Sequence, residues 1–191
     1  MSTNLEIEFK NMLDENEYHE LLNYFSIHEE QIWTQKNVYF DTLSHDLKHQ
    51  QAALRVRVKN NTYELTLKTK AEVGLLETNQ MITKADYKTF KHDHQLVKGP
   101  VYDALVELGI HVDELRVMTD LTTKRAEVPY ENGLLVLDKS FYGEVIDFEL
   151  EYEVKDYHEG LKIFNDLLNK HNIPTRPAEN KIKRATAVAK K

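Results

Sequence analysis

The sequence predicts an α+β fold whose antiparallel strands carry charge on one face and apolar residues on the other. Three observations predict it. Near the start, Leu5, Ile7 and Phe9 alternate with Glu6, Glu8 and Lys10. Residues 53–59, 64–70 and 145–153 alternate in the same way. Between such runs lie helix-period stripes with capping signals, such as Tyr18, Leu21, Leu22 and Phe25 at i, i+3, i+4 and i+7. Successive strand side chains point to opposite faces, so each alternating run presents an ionic side and a packing side.

The elements follow in order. Asp14 and Glu17 form a capping box for a helix over 15–26. Residues 31–41, with Ile32, Trp33, Val38, Tyr39 and Phe40, read as a strand. Asn60-Asn61 turns the chain between the strands 53–59 and 64–70. A strand at 75–82 carries Glu77, and a helix-leaning segment covers 83–91. Gly99-Pro100 opens a helix with Val101, Leu105 and Leu108 on one side and Gly109 at its end. Strand character resumes over 115–128 and 134–138, with a turn at 139–143 before the strand 145–153. A helix from Asp156 carries Tyr157, Leu161, Phe164 and Leu168. Pro174 and Pro177 then bracket a turn before the basic tail of Lys181, Lys183, Arg184, Lys190 and Lys191, which reads as a solvated helix.

Composition excludes several classes. With 191 residues, 41% hydrophobic and 30% charged, residues 1–191 are expected to form a single domain. The net charge of −7 argues against nucleic acid as a partner, because phosphate-backbone affinity needs uncompensated Lys and Arg. No apolar run approaches the ~20 residues of a membrane span, and no signal segment opens the chain, so a cytoplasmic address without membrane association is expected. The absence of cysteine removes disulfides, thiolate metal sites and thiol nucleophiles. No Ser-His-Asp order, Gly-rich phosphate loop or dinucleotide fingerprint is present.

The charged faces are the candidate chemistry. Glu6 and Glu8 recur at ~6.6 Å along a strand, a spacing that invites a divalent cation, although an ordinary solvated strand shows the same alternation. Arg55, Arg57 and Lys59 with Glu64, Thr66, Lys68 and Lys70 give the 53–70 hairpin a strongly cationic side, which calls for an anion, facing carboxylates or water. Asp147, Glu149, Glu151 and Glu153 share one face of the last strand, as a divalent-metal wall or an acidic edge. His92 and His94, like His45 and His49, lack a third zinc ligand nearby and read as solvated.

Taken in order, Glu6-x-Glu8-x-Lys10, Tyr39-Phe40-Asp41, Ala53-Leu54-Arg55-Val56-Arg57, Leu65-Thr66-Leu67-Lys68, Leu137-Asp138, Phe148-Glu149-Leu150-Glu151 and Asn180-Lys181 resemble the CYTH family of triphosphate tunnel metalloenzymes. The resemblance covers essentially the whole chain. It implies a closed eight-stranded antiparallel β-barrel, the triphosphate tunnel, with helices packed outside. By the same resemblance Glu6, Glu8, Asp138, Glu149 and Glu151 bind the metal, Mg²⁺ or Mn²⁺. Lys10, Arg55, Arg57, Lys68, Arg125 and Lys181 clamp the triphosphate, and Glu77 orients basic side chains. Glu6, Glu8, Lys10 and Lys68 are implied to be closest to the chemistry. Strand parity favours Arg125 over Lys124, which a bulge would exchange. Asp147 and Glu153 are expected to lie beyond the metal's reach, and Asn180 stands where the family usually has serine.

The implied activity is metal-dependent hydrolysis of a small triphosphate-bearing substrate with release of phosphate, by a monomer or homodimer. No base-recognition motif is visible, which favours an inorganic or small organic triphosphate over a nucleotide. The same tunnel also serves class IV adenylate cyclases, which make cyclic AMP and pyrophosphate. A non-catalytic polyphosphate- or nucleotide-binding module is the alternative of another class, and the acidic wall argues against it.

Overall fold

Eight segments of strand character become eight strands in the computed structural model, which describes residues 2–189; Lys190 and Lys191 of the basic tail lie outside the described residues. The strands are β1 (Ser2–Leu13), β2 (Trp33–Asp41), β3 (Ala53–Lys59), β4 (Thr62–Lys70), β5 (Leu75–Ile82), β6 (Arg116–Tyr130), β7 (Gly133–Tyr142) and β8 (Val145–Val154). The helices are α1 (Glu15–Tyr24), α2 (Asp46–His49), α3 (Lys84–Asp93), α4 (Pro100–Glu107), α5 (Tyr157–Lys170) and α6 (Lys181–Ala189). The strands form a closed antiparallel barrel in the order β1-β5-β4-β3-β2-β6-β7-β8. Among the described residues no helix is long and apolar enough to cross a membrane.

Two compact units make up the fold, Met1–Leu5 with Gln35–Leu121 and Glu6–Thr34 with Thr122–Lys191. In the first, the apolar sides of β2–β5 pack with α2, α3 and α4. Val38, Phe40, Leu54, Val56, Leu65, Leu67, Phe90, Val101 and Leu105 form its core, with the Phe40 and Phe90 rings stacked at 4.2 Å. Asn60 and Asn61 both adopt positive φ, 46° and 62°. That is the conformation a two-residue hairpin turn demands, and it sets the register of Lys59 on Thr62.

Tyr39-Phe40-Asp41 owes its last residue to folding. The buried Asp41 carboxylate accepts from the backbone N–H groups of Thr42 and Leu47 through Oδ1, at 2.8 and 2.9 Å, and of Lys48 through Oδ2 at 3.2 Å. It therefore pins α2 to the end of β2. Gln80 plays a similar part for α4, its Oε1 accepting from Val101 N–H at 3.2 Å. Gly99, at φ +152°, precedes Pro100 there, and a Cβ at that position would meet the Gln80 amide at 2.5 Å.

The second unit packs the apolar sides of β7 and β8 with Leu13, Tyr18, Leu21, Phe164, Leu167 and Leu168, from the end of β1 and from α1 and α5. Asp14 and Glu17 form the expected capping box of α1. Buried Asn11 ties down the segment after α5: its Nδ2 donates to Pro174 C=O at 3.0 Å and its Oδ1 accepts from Arg176 N–H at 2.6 Å. The Arg176 guanidinium then forks onto Glu17 at 2.6 and 3.0 Å.

Several boundaries differ from the sequence reading by a few residues, two of them at turns. β7 continues to Tyr142, so the turn expected over 139–143 shrinks to Gly143-Glu144, with Gly143 at φ 58°. The helix-leaning segment expected over 83–91 runs on through His92 and Asp93, the last turn of α3, and His94 stops the helix in the left-handed conformation at φ 60°. We expect Asp41→Ala to strand backbone donors at the start of α2 and to lower stability by about 2–3 kcal/mol in urea denaturation.

Candidate functional site

In the unit containing α1, α5 and α6, register collects charge on the side of the strands away from the apolar core. Arg125 on β6 stands opposite Asp138 on β7, Asp138 opposite Glu149 on β8, and Lys10 and Glu8 on β1 opposite Glu151 and Glu153. Asp138 and Glu149 are fully buried and Glu151 nearly so. Burying carboxylates so close together requires cations against them.

Four side chains supply them. Arg125 grips Asp138 with Nε and Nη2 at 2.8 and 2.6 Å and reaches Glu151 at 2.9 Å. Lys124, its neighbour, is exposed. Lys10 Nζ lies 2.7 Å from Glu8 and 3.3 Å from Glu151. From α6, Lys181 Nζ touches Asp138, Glu149 and Glu151 at 2.9, 2.8 and 2.6 Å. One helical turn on, Arg184 meets Glu149 at 2.5 Å and Asp147 at 2.9 Å, while Tyr142 donates its hydroxyl to Asp147.

The basic tail, read as a solvated helix, thus turns one face inward: the Lys181 and Arg184 side chains are only 10% and 12% exposed. The spacing from Lys181 to Arg184 places both on one helix side, the signal by which Arg184 was detectable. Burial alone would lower the Lys181 ammonium, but Asp138, Glu151 and Glu149 raise it well above the usual lysine range. Burial would raise Glu151, and Lys181, Lys10 and Arg125 together hold it well below the usual carboxylate range. Asp138 is also lowered, Arg125 and Lys181 outweighing its burial.

Glu153, expected beyond a metal's reach, stands with Glu6 and Glu8. Among the described residues these three offer ligand oxygens within 4.8 Å of one another, and no histidine belongs to the group. Burial, followed by Glu151, Glu6 and Glu8, raises the Glu153 carboxyl to about 7, against the opposing pull of Arg125.

In the other unit, Arg55 and Arg57 on β3 and Lys68 on β4 share a face with Glu77 on β5, Lys68 lying opposite Glu77 and Arg55 opposite Thr66. Lys68 Nζ is 2.8 Å from Glu77, and Arg55 reaches the same oxygen at 3.9 Å. Arg57 lies 3.9 Å from Glu64. Burial would raise Glu77, but Lys68, then Arg55 and Arg57, hold it below its ordinary value. Here the carboxylate serves the cations, fixing their direction, and three cations against Glu64 and Glu77 leave the face net positive and receptive to an anion.

A raised carboxyl pKa means that the folded state keeps a proton the unfolded chain has lost. Stability then falls as pH rises from the ordinary value of 4.5 through about 7. In metal-free protein we expect Glu153→Gln to raise the melting temperature at pH 8 and to leave it unchanged near pH 4, as read by thermal unfolding across that range.

Comparison with known proteins gives this arrangement a family. The chain is 45% identical over 185 residues to YjbK of Bacillus subtilis (strain 168), named a putative triphosphatase, covering 96% of this chain and 95% of that protein. A solved structure from Bacillus halodurans, described as a putative adenylate cyclase, is 36% identical and superposes with a TM-score of 0.93 over 96% of this chain and 98% of its own. The Hippeastrum protein HpAC1, described as having a dominant triphosphatase activity, shares the fold at 22% identity and a TM-score of 0.78, with 96% of each chain covered. The CYTH domain matches residues 4–186, and the chain belongs to the CYTH family.

Proposed function

We propose that this chain is a metal-dependent hydrolase of a small triphosphate-bearing substrate. The observation that carries the proposal is the convergence of three carboxylates, Asp138, Glu149 and Glu151, on one ammonium at 2.6 to 2.9 Å. Oxygen atoms gathered so tightly about a cation are the donor set that suits Mg²⁺ or Mn²⁺. The Glu6, Glu8 and Glu153 group offers hard oxygen donors of the same kind. The name of the 45%-identical relative supports the triphosphatase reading.

On this reading Glu6, Glu8, Asp138, Glu149 and Glu151 would hold the metal, with Glu153 added to the set. When bound, the metal neutralises phosphate charge and polarises the phosphoryl oxygen. Lys10, Arg55, Arg57, Lys68, Arg125 and Lys181 bind the phosphates, arginine through its planar fork and lysine as a point charge. Glu77 keeps Arg55 and Lys68 aimed. Water attacks the terminal phosphorus, the new P–O bond replaces the anhydride bond, and the products are phosphate and the shortened diphosphate. Positioning and fixed charge supply most of the rate.

Cyclisation of ATP is the second reading, favoured by the description of the 36%-identical Bacillus halodurans structure. Incubation with tripolyphosphate, ATP and thiamine triphosphate under Mg²⁺ or Mn²⁺ separates the two. We expect phosphate release, abolished by chelator, without cyclic AMP; cyclic AMP with pyrophosphate would replace hydrolase by cyclase. Tight tripolyphosphate binding with no turnover under any divalent metal would leave a binding module. Glu149→Gln is expected to reduce turnover about 100-fold or more, while Glu77→Gln, which loosens the aim of the cations, should mainly raise KM.

A further inference from the structure

Asn37 on β2 has no structural occupation that accounts for it. Its side chain is 2% exposed. By register it lies opposite Arg57, and the next inward residue of β2, Tyr39, lies opposite Arg55. It therefore belongs to the same face as the basic residues, beside them rather than in the apolar core. Thr66, equally buried on that face, is satisfied by donating to Asn79 Oδ1 at 2.7 Å. Among the described residues the buried Asn37 Oδ1 has no hydrogen-bond partner, and neither does the buried Nε of Arg55.

A buried polar atom left unpaired lowers stability, and an apolar side chain of the same shape would avoid that loss. A structural asparagine normally bonds nearby backbone, as Asn11 does with Pro174 and Arg176. Asn37 instead keeps an amide end unused on the strand face that carries Arg55 and Arg57. A half-turn of the amide exchanges Oδ1 for Nδ2 at nearly the same place, so the unused end can present a donor. Phosphoryl oxygens only accept, and a neutral donor on the same face as arginines adds a directed bond without adding charge.

We propose that Asn37 is a further substrate-contacting residue, its amide Nδ2 donating to a phosphoryl oxygen beside Arg57. The inference rests on the triphosphate reading above. It assigns the amide a share in affinity and in the orientation of the bound chain, and it explains why a position on a buried strand face holds an asparagine that the fold itself does not use.

The test combines thermal melting with steady-state kinetics on tripolyphosphate and Mg²⁺, using the full chain, Asn37→Leu, Asn37→Asp and Arg55→Ala. Asn37→Leu should melt at or above the wild type while KM rises about tenfold, the loss of one hydrogen bond to a charged group, with kcat less affected. Asn37→Asp keeps the shape and places a carboxylate against the phosphates, so its KM should rise further. An unchanged KM in Asn37→Leu, or a lower melting temperature with unchanged KM, overturns the proposal. Should Asn37→Leu fail to fold, an unchanged KM in Asn37→Asp overturns it alone. If Arg55→Ala weakens the substrate and the Asn37 variants do not, only this inference fails. If the wild type neither binds nor hydrolyses tripolyphosphate, the triphosphate reading fails and this inference with it.

Discussion

Lys181 and the three carboxylates around it form the constraint on which the C-terminal half of the chain depends. Asp138 and Glu149 have no solvent exposure and Glu151 almost none. Taking an ion of that kind out of water costs several kcal/mol unless a counter-charge and hydrogen bonds replace the solvent. Arg125 and Lys10 come from the strands themselves, but they reach only part of the wall. The rest of the compensation is brought by α6, so the route of the tail follows from the charge of β7 and β8. Asn11 and Arg176 hold the segment that leads there, through Pro174 C=O and the fork onto Glu17.

Such a wall does not exist for stability. Buried ion pairs are commonly equalled or bettered by apolar residues of the same volume, whereas loss of one partner is severe, about 3–5 kcal/mol. The stabilising work is done on the opposite strand faces, where Leu135, Leu137, Leu150 and Tyr152 in one unit and Leu54, Val56, Leu65 and Leu67 in the other are buried. Period-two alternation separates the tasks cleanly: every second residue builds a core, and the residues between are released for charge. A strand face that carries Glu8, Lys10, Glu149 and Glu151 through burial is one that the apolar side can carry at a loss, which is the stability–function exchange expected of a site.

The same alternation explains what was legible in the sequence. Parity alone places Glu6, Glu8 and Lys10 together and sets Arg125 rather than Lys124 on the side of Glu127, and parity with the Asn60-Asn61 turn puts Arg55, Arg57 and Lys68 on one face, because a strand residue's side is fixed by its number. Capping chemistry is just as local, hence the agreement at Asp14 and Glu17. Partners distant in sequence are not encoded in any local period. Nothing near Arg184 announces Asp147 and Glu149, nothing near Glu17 announces Arg176, and the closeness of Glu153 to Glu6 and Glu8 depends on the register of β1 on β8. The tail shows the same limit from the other side: a run of lysine and arginine reads as solvated until the carboxylates that bury it are known.

Charge accounting on this wall also bears on the order of events under the proposed activity. Lys181 already has three anionic partners, and a divalent cation entering alone would be set beside Lys181, Arg125 and Lys10, all held in their charged forms by the carboxylates. A polyphosphate entering alone would meet those same carboxylates. Under the proposed activity, joint entry would relieve both: Lys181 and Arg125 would turn from carboxylate to phosphate oxygens, and Asp138, Glu149 and Glu151 would be left to hold the metal. Once both had bound, little reorganisation would remain for the chemical step, the condition under which fixed charges contribute most to rate.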